Sequence, residues 1–187
     1  MAHLGSGVEY GLHCLLWLVK PNTAPPSSRD LADLQGLSPS FVAKIFPKLE
    51  KAGIVHASQG IRGGYRLARA AAQITVLDVV DAIEGRKPLF DCQEIRGRCA
   101  VFSGKPASWA TRGVCTIHAI MLRAEQKMRE ELAAVTIADL AHAVGRKAPP
   151  NFLATVHHWL DSRLAARTEA KAIASSGPPE SPRRRSS

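Results

Sequence analysis

The sequence predicts a mainly α fold with one small β hairpin, and two observations carry that prediction. Apolar residues recur at helical spacing through most of the chain, while two short strand-like runs, IVHAS and YRLA, flank the glycine-rich stretch QGIRGG. A hydrophobic fraction of 45% with 22% charged residues, over 187 residues, is ordinary for one folded core with appendages.

The first helix is expected over residues 8–20, where Val8, Leu12, Leu15, Leu16 and Val19 recur at helical spacing and Pro21 ends the pattern. After PNTAPP, Ser28 is the expected cap of a short helix, RDLADLQ, closed by Gly36. A second helix follows at once, with Ser38 as N-cap and Pro39 at its first position. Phe41, Val42, Ile45, Phe46 and Leu49 form its expected buried face, and Pro47 is expected to kink or divide it.

Next comes the hairpin, its tip carrying Gly60, Arg62, Gly63 and Gly64. Thr75 caps VLDVVDAIEG, which ends at Gly85. From residue 86 to 115 periodicity is lost, and so long a loop inside a compact domain is uncommon unless functional.

A long helix over 116–135 carries the stripe Ile117, Ile120, Met121, Ala124, Met128 and Leu132, more than a small body needs to cover, and so reads as a dimerisation helix. The helix TIADLAHAV, the loop GRKAPPN and a helix over 152–167 follow, and SSGPPESPRRRSS reads as a disordered basic tail. The expected units are 1–85, a DNA-binding domain; 86–115, a ligand-binding loop; 116–145, the dimerisation helix with the short helix after it; 146–172, a helical extension; and 173–187, the tail.

A helix, a tight turn, a second helix and a glycine-tipped hairpin, in that order, make a winged helix-turn-helix, whose second helix enters the DNA major groove. The excess of 25 Lys and Arg over 16 Asp and Glu, a formal charge of +9, suits a polyanionic partner. Exposed positions near the start of the second helix read bases or phosphates: Ser38, Ser40, Lys44 and Lys48. In the hairpin, Gly63 permits close approach to the sugar-phosphate strand and Arg62 projects toward the minor groove.

Neither a membrane span nor a secretory leader is legible, so the expected compartment is the cytoplasm. There, clustered cysteines read as metal or redox groups rather than structural disulfides. Cys92, Cys99 and Cys115 cluster in the loop; Cys14 stands apart and reads as a small core residue. Glu9 and His13, four residues apart, leave one face of the first helix and either converge on a metal or form a solvated, hydrogen-bonded surface. No phosphate loop or nucleophile-base arrangement is present, which argues against an enzyme.

In SPSFVAKIFPKLEKAGIV, QGIRGGYRLAR and ITVLDVVDAIEG, together with the cysteine loop and the helix after it, the chain resembles the winged-helix iron-sulfur regulators that include IscR, NsrR and RsrR. The likeness covers about residues 1–145, and VEYGLHC and FDCQEIRGR bring it nearest to the redox sensor RsrR. What the resemblance implies is a homodimeric repressor on a double-stranded operator, with a 2Fe-2S cluster between subunits.

Two cysteines from one loop and a Glu and a His from the other chain's first helix then hold the cluster: Cys92, Cys115, Glu9 and His13. Cys99 is left as a possible ligand in place of Glu9, as part of a 4Fe-4S alternative, or as a free thiol. A clusterless regulator responding through its thiols or a small ligand is the competing expectation.

Overall fold

The computed structural model describes residues 4–20, 25–60 and 63–175, with side chains through residue 170. Helix α1 spans Ser6–Leu16 and buries Val8, Cys14 and Leu15. Its two glycines, Gly7 and Gly11, face Ile83: a Cβ at Gly11 would stand 2.6 Å from the Ile83 Cδ1 and 3.6 Å from the Ile45 Cγ2. The bare backbone at these positions is what lets α1 approach its neighbours so closely.

The apolar pattern continues to Lys20, yet α1 ends at Leu16. The Trp17 and Leu18 N–H groups turn back to the carbonyls of Cys14 and Leu15, at 3.3 and 3.0 Å, tightening the chain and dropping Leu18 into the core. Pro21 lies outside the described residues.

Helix α2 (Ser28–Gln35) starts one residue earlier than the sequence suggests, because Ser27 and not Ser28 is its cap. The Ser27 hydroxyl accepts from the Asp30 N–H at 3.1 Å and the Asp30 carboxylate accepts from the Ser27 N–H at 2.9 Å, a reciprocal box. Gly36 closes α2 with φ of 65°, a left-handed cap that glycine adopts without strain.

Helix α3 (Pro39–Lys51) follows after Leu37 and Ser38 and runs unbroken through Pro47. Pro47 cannot bond the Ala43 carbonyl, but both residues are exposed, so that carbonyl is left to water. Val42, Ile45, Phe46 and Leu49 on the opposite side are buried and hold the helix in place. Phe41, expected in that face, is instead 40% exposed and meets Tyr10 edge-on at 5.4 Å.

Strands β1 (Val55–Ser58) and β2 (Gly64–Leu67) pair antiparallel, from Val55 opposite Leu67 to Ser58 opposite Gly64. Helix α4 (Val76–Glu84) is capped by a second box, Thr75 with Asp78. The stretch 86–115 contains two short 3-10 turns, Ile95–Arg98 and Ala100–Phe102, and the one-turn helix α5 (Ser108–Thr111).

Helix α6 (Thr116–Ala134) buries no residue fully in the single chain. After it, Thr136 and Asp139 make a third box at the start of α7 (Ile137–Lys147), which reaches past the expected TIADLAHAV. The chain returns there to the start of α4: the Val76 N–H bonds the Val135 carbonyl and the Ile137 N–H the Ile74 carbonyl, both at 2.9 Å. Helix α8 (Phe152–Ser175) is longer than the 152–167 expected, and the rest of the tail lies outside the described residues.

The core gathers Leu15, Leu31, Val42, Phe46, Leu49, Ile54, Ile74, Val79 and Ile137, each fully buried. It draws on α1 to α4 and α7, so the helix-turn-helix is welded to the helix that carries Glu9 and His13. Burying an aliphatic side chain of this size contributes about 1.5–3 kcal/mol.

Candidate DNA interface and cysteine loop

The outer face of α3 opens at its N-terminal end, where Ser38, Ser40 and Lys44 are all exposed. Ser38 caps the helix by position alone: its hydroxyl lies 2.9 Å from that of Ser40 and accepts no cap hydrogen bond. Both hydroxyls are therefore turned outward with donor and acceptor capacity to spare. Lys48 differs from its neighbours, since its ammonium donates to the Ile83 carbonyl at 2.8 Å and so ties α3 to the end of α4.

The positive backbone torsions expected of the wing glycines are present at one of them. Gly60 has a positive φ of 100°, but Gly63 and Gly64 do not. Instead, a Cβ at Gly63 would stand 2.4 Å from the Ser58 carbonyl oxygen, and one at Gly64 2.1 Å from that of Pro25. Those two positions are glycine because the chain's own backbone passes there, and the Tyr65 N–H bond to the Pro26 carbonyl at 2.9 Å fastens the wing to the segment before α2. Arg62, the expected minor-groove residue, lies outside the described residues.

In the loop, Arg96 joins two arms that the sequence separates. Its guanidinium pairs with Glu94, one bond at 2.8 Å, and donates to the Gly113 carbonyl at 2.9 Å and the Thr111 carbonyl at 3.4 Å. Cys115 feels its charge.

Cys115 is also the residue that starts α6, and the backbone N–H groups of His118 and Ile117 point at its sulfur. The His118 bond first, then the Ile117 bond and the Arg96 charge, hold the thiol below its ordinary pKa against partial burial and the Glu94 charge. Cys99 sits exposed between the two 3-10 turns. Cys14 is 1% exposed within the core, and burial pushes its thiol up to about 12.

Glu9 and His13 are exposed on α1 and line one groove with Leu12, Leu16, Leu140 and Val144, about 610 Å³ between α1 and α7. The chain thus places Glu9 together with His13 on the groove between α1 and α7, while Cys92 and Cys115 lie in the separate stretch between α4 and α6. Among the described residues no three His, Cys, Asp or Glu side chains gather into one metal-holding group. Around the loop, Ile95, Val101, Trp109, Val114, Ile117 and Ile120 are all at least half exposed.

Arg96 and Glu94 escaped sequence reasoning. The partners of Arg96 are mostly backbone carbonyls 15 and 17 positions away, and no periodicity or motif announces such a bond. The only available sign was a basic residue beside Gly97 inside a cysteine-bearing loop.

The sequence profile of the Rrf2 family, described as an iron-dependent transcriptional regulator, matches residues 4–143. Protein rrf2 of Nitratidesulfovibrio vulgaris is 33% identical over 133 residues, covering 71% of this chain and 82% of that one. Among solved structures, T. potens IscR superposes with a TM-score of 0.58 at 21% identity, over 79% of this chain and 91% of that one. CymR, the global cysteine regulator of B. subtilis, gives 0.57 at 23%, over 76% and 98%. The two structures speak for the winged-helix fold, and the profile and the relative for ancestry: the chain belongs to the Rrf2 family of transcriptional regulators.

Proposed function

We propose that this DNA-binding regulator is a redox-sensing repressor that acts as a homodimer and holds a 2Fe-2S cluster between its two copies. The observation that carries this reading is that Glu9 and His13 share one groove on α1 while Cys92 and Cys115 lie elsewhere, in the stretch between α4 and α6, so that neither pair is sufficient alone. Two thiolates, an imidazole and a carboxylate suit such a cluster, and Cys99 is the alternative donor in place of Glu9 or in a 4Fe-4S form. Meeting of two copies completes the set, and the exposed apolar residues of the loop and α6 supply the surface on which they meet.

When bound, the cluster supplies one-electron redox chemistry. The chain's own part is to transmit strain. Helix α1 carries Glu9 and His13 on one side and packs through Gly7 and Gly11 against Ile83 of α4 and Ile45 of α3 on the other. A pull on α1 therefore reaches the recognition helix by direct contact, and Lys48 couples α3 to α4 a second time. Ser38, Ser40 and Lys44 then contact bases and phosphates in the major groove, while Arg62 of the wing enters the minor groove and Gly63 lets the backbone approach the sugar-phosphate strand. The site of action is the cytoplasm; no described helix is long and apolar enough to cross a membrane.

The test is the full chain isolated without oxygen, assayed for iron and acid-labile sulfide, with operator binding measured before and after one-electron reduction. Expected are iron and sulfide in equal amounts and a change in affinity on reduction. Iron-free protein overturns the cluster and leaves a clusterless, thiol-responsive regulator; unchanged affinity overturns the switch.

A further inference from the structure

A cavity of about 380 Å³ lies where the end of α1 and the turn after it meet α7 and α8, apart from the cysteine loop and from the outer face of α3. Small-ligand pockets commonly fall between about 300 and 1,000 Å³. Its body is apolar, walled by Leu16, Trp17, Val144 and Leu153. The Trp17 indole packs edge-on against Phe152 at 6.0 Å, which fixes an aromatic wall in place.

Its polar lining is basic: Lys20, Arg146, His142 and His157 are among the lining residues and no Asp or Glu is, although Asp139 of α7 lies near His142. Neither Lys20 nor Arg146 has an ion-pair partner among the described residues, whereas Arg96, Arg129, Arg163 and Arg167 are all paired. Two cations without an ion-pair partner, on the lining of an apolar chamber, attract an anion, and the chamber selects one that brings an apolar body with it.

We propose that this cavity binds a small organic monocarboxylate, its carboxylate held by Lys20 and Arg146 and its hydrocarbon part against Trp17 and Leu153. A bare inorganic anion leaves the apolar walls wet, and a neutral amphiphile leaves the cations unsatisfied. Leu153 and His157 of α8 close one wall of the cavity, from residues beyond the span matched by the family profile. Leu16 and Val144 are shared with the groove of Glu9 and His13, but Lys20, Arg146, Trp17 and Leu153 line this cavity and not that groove.

Isothermal titration of the full chain with octanoate, octanamide and inorganic phosphate tests the site directly. Expected is saturable binding of one octanoate per chain, at least tenfold weaker binding of octanamide, and none of phosphate alone. Lys20→Gln with Arg146→Gln should weaken octanoate at least tenfold while leaving the far-ultraviolet spectrum and the melting temperature unchanged, since neither side chain is part of the core. Absence of saturable octanoate binding, equal affinity for octanamide, or an unchanged affinity in the folded double variant overturns the proposal.

Discussion

Arg129 of α6 grips Asp81 of α4 through two parallel hydrogen bonds, at 3.0 and 2.7 Å, across 48 positions of sequence. Arg86 approaches the same carboxylate at 3.4 Å. The Arg129 hydrogen bonds, with the Arg129 and Arg86 charges, hold the Asp81 carboxyl below the usual range, outweighing its partial burial. A carboxylate depressed on folding contributes stability at pH values above its unfolded pKa, near about 4, and that contribution is lost as pH falls through the folded value. Arg129→Ala should cost about 1–2 kcal/mol at pH 7. Urea melts of the wild type and of Asp81→Asn should converge as pH falls from 6 to 3; curves that stay parallel would count against the tie.

Gly11 and Gly145 sit in helices but should respond oppositely to alanine. At Gly11 the added methyl meets Ile83 at 2.6 Å, so Gly11→Ala should destabilise by about 1–3 kcal/mol despite its better helix propensity. At Gly145 the nearest atom is 4.0 Å away, and Gly145→Ala should stabilise by about 0.5–1 kcal/mol. Denaturant midpoints of the two variants check the difference in sign.

Lys44 and Lys48, one turn apart on α3, should separate binding from stability. Lys44→Ala should weaken operator binding across sequences and lower the slope of log affinity against log salt by about 1. Lys48→Ala removes the bond to the Ile83 carbonyl and should lower the melting temperature, with a smaller change in salt slope. Equal salt slopes in Lys44→Ala and wild type would remove Lys44 from the interface.

Asp30 is 2% exposed, and the extension supplies its charge partners: Arg167 at 3.1 Å and Arg163 at 3.6 Å. Arg163 also pairs with Asp33. Arg167→Met should cost about 1–3 kcal/mol by leaving a buried carboxylate short of a partner. The double variant Asp30→Asn with Arg167→Met should lose less than the sum of the single losses, a coupling that calorimetric melts can read.

The helix-turn-helix was legible in residues whose roles are local. Gly36 has the positive φ its place after α2 foretells, Thr75 caps α4, and Val42, Ile45, Phe46 and Leu49 repeat at the spacing of a buried face. What the pattern missed depended on tertiary partners. Leu18 sinks into the core past the end of α1, Phe41 turns out to meet Tyr10, and Pro47 is carried by the packing on the other side of α3. Of the candidate site, the outward place of Ser38, Ser40 and Lys44 on α3 was legible by spacing. Arg96 and the carbonyls it holds were not, because backbone acceptors leave no mark on residue identity.

The Arg96 fastening means that the two ends of the cysteine loop are brought together by protein bonds alone. Closing a loop costs conformational entropy, and here folding meets that cost before anything binds. The cluster proposed above would meet a segment already ordered, so replacing Arg96 should slow or weaken its capture while leaving every sulfur in place.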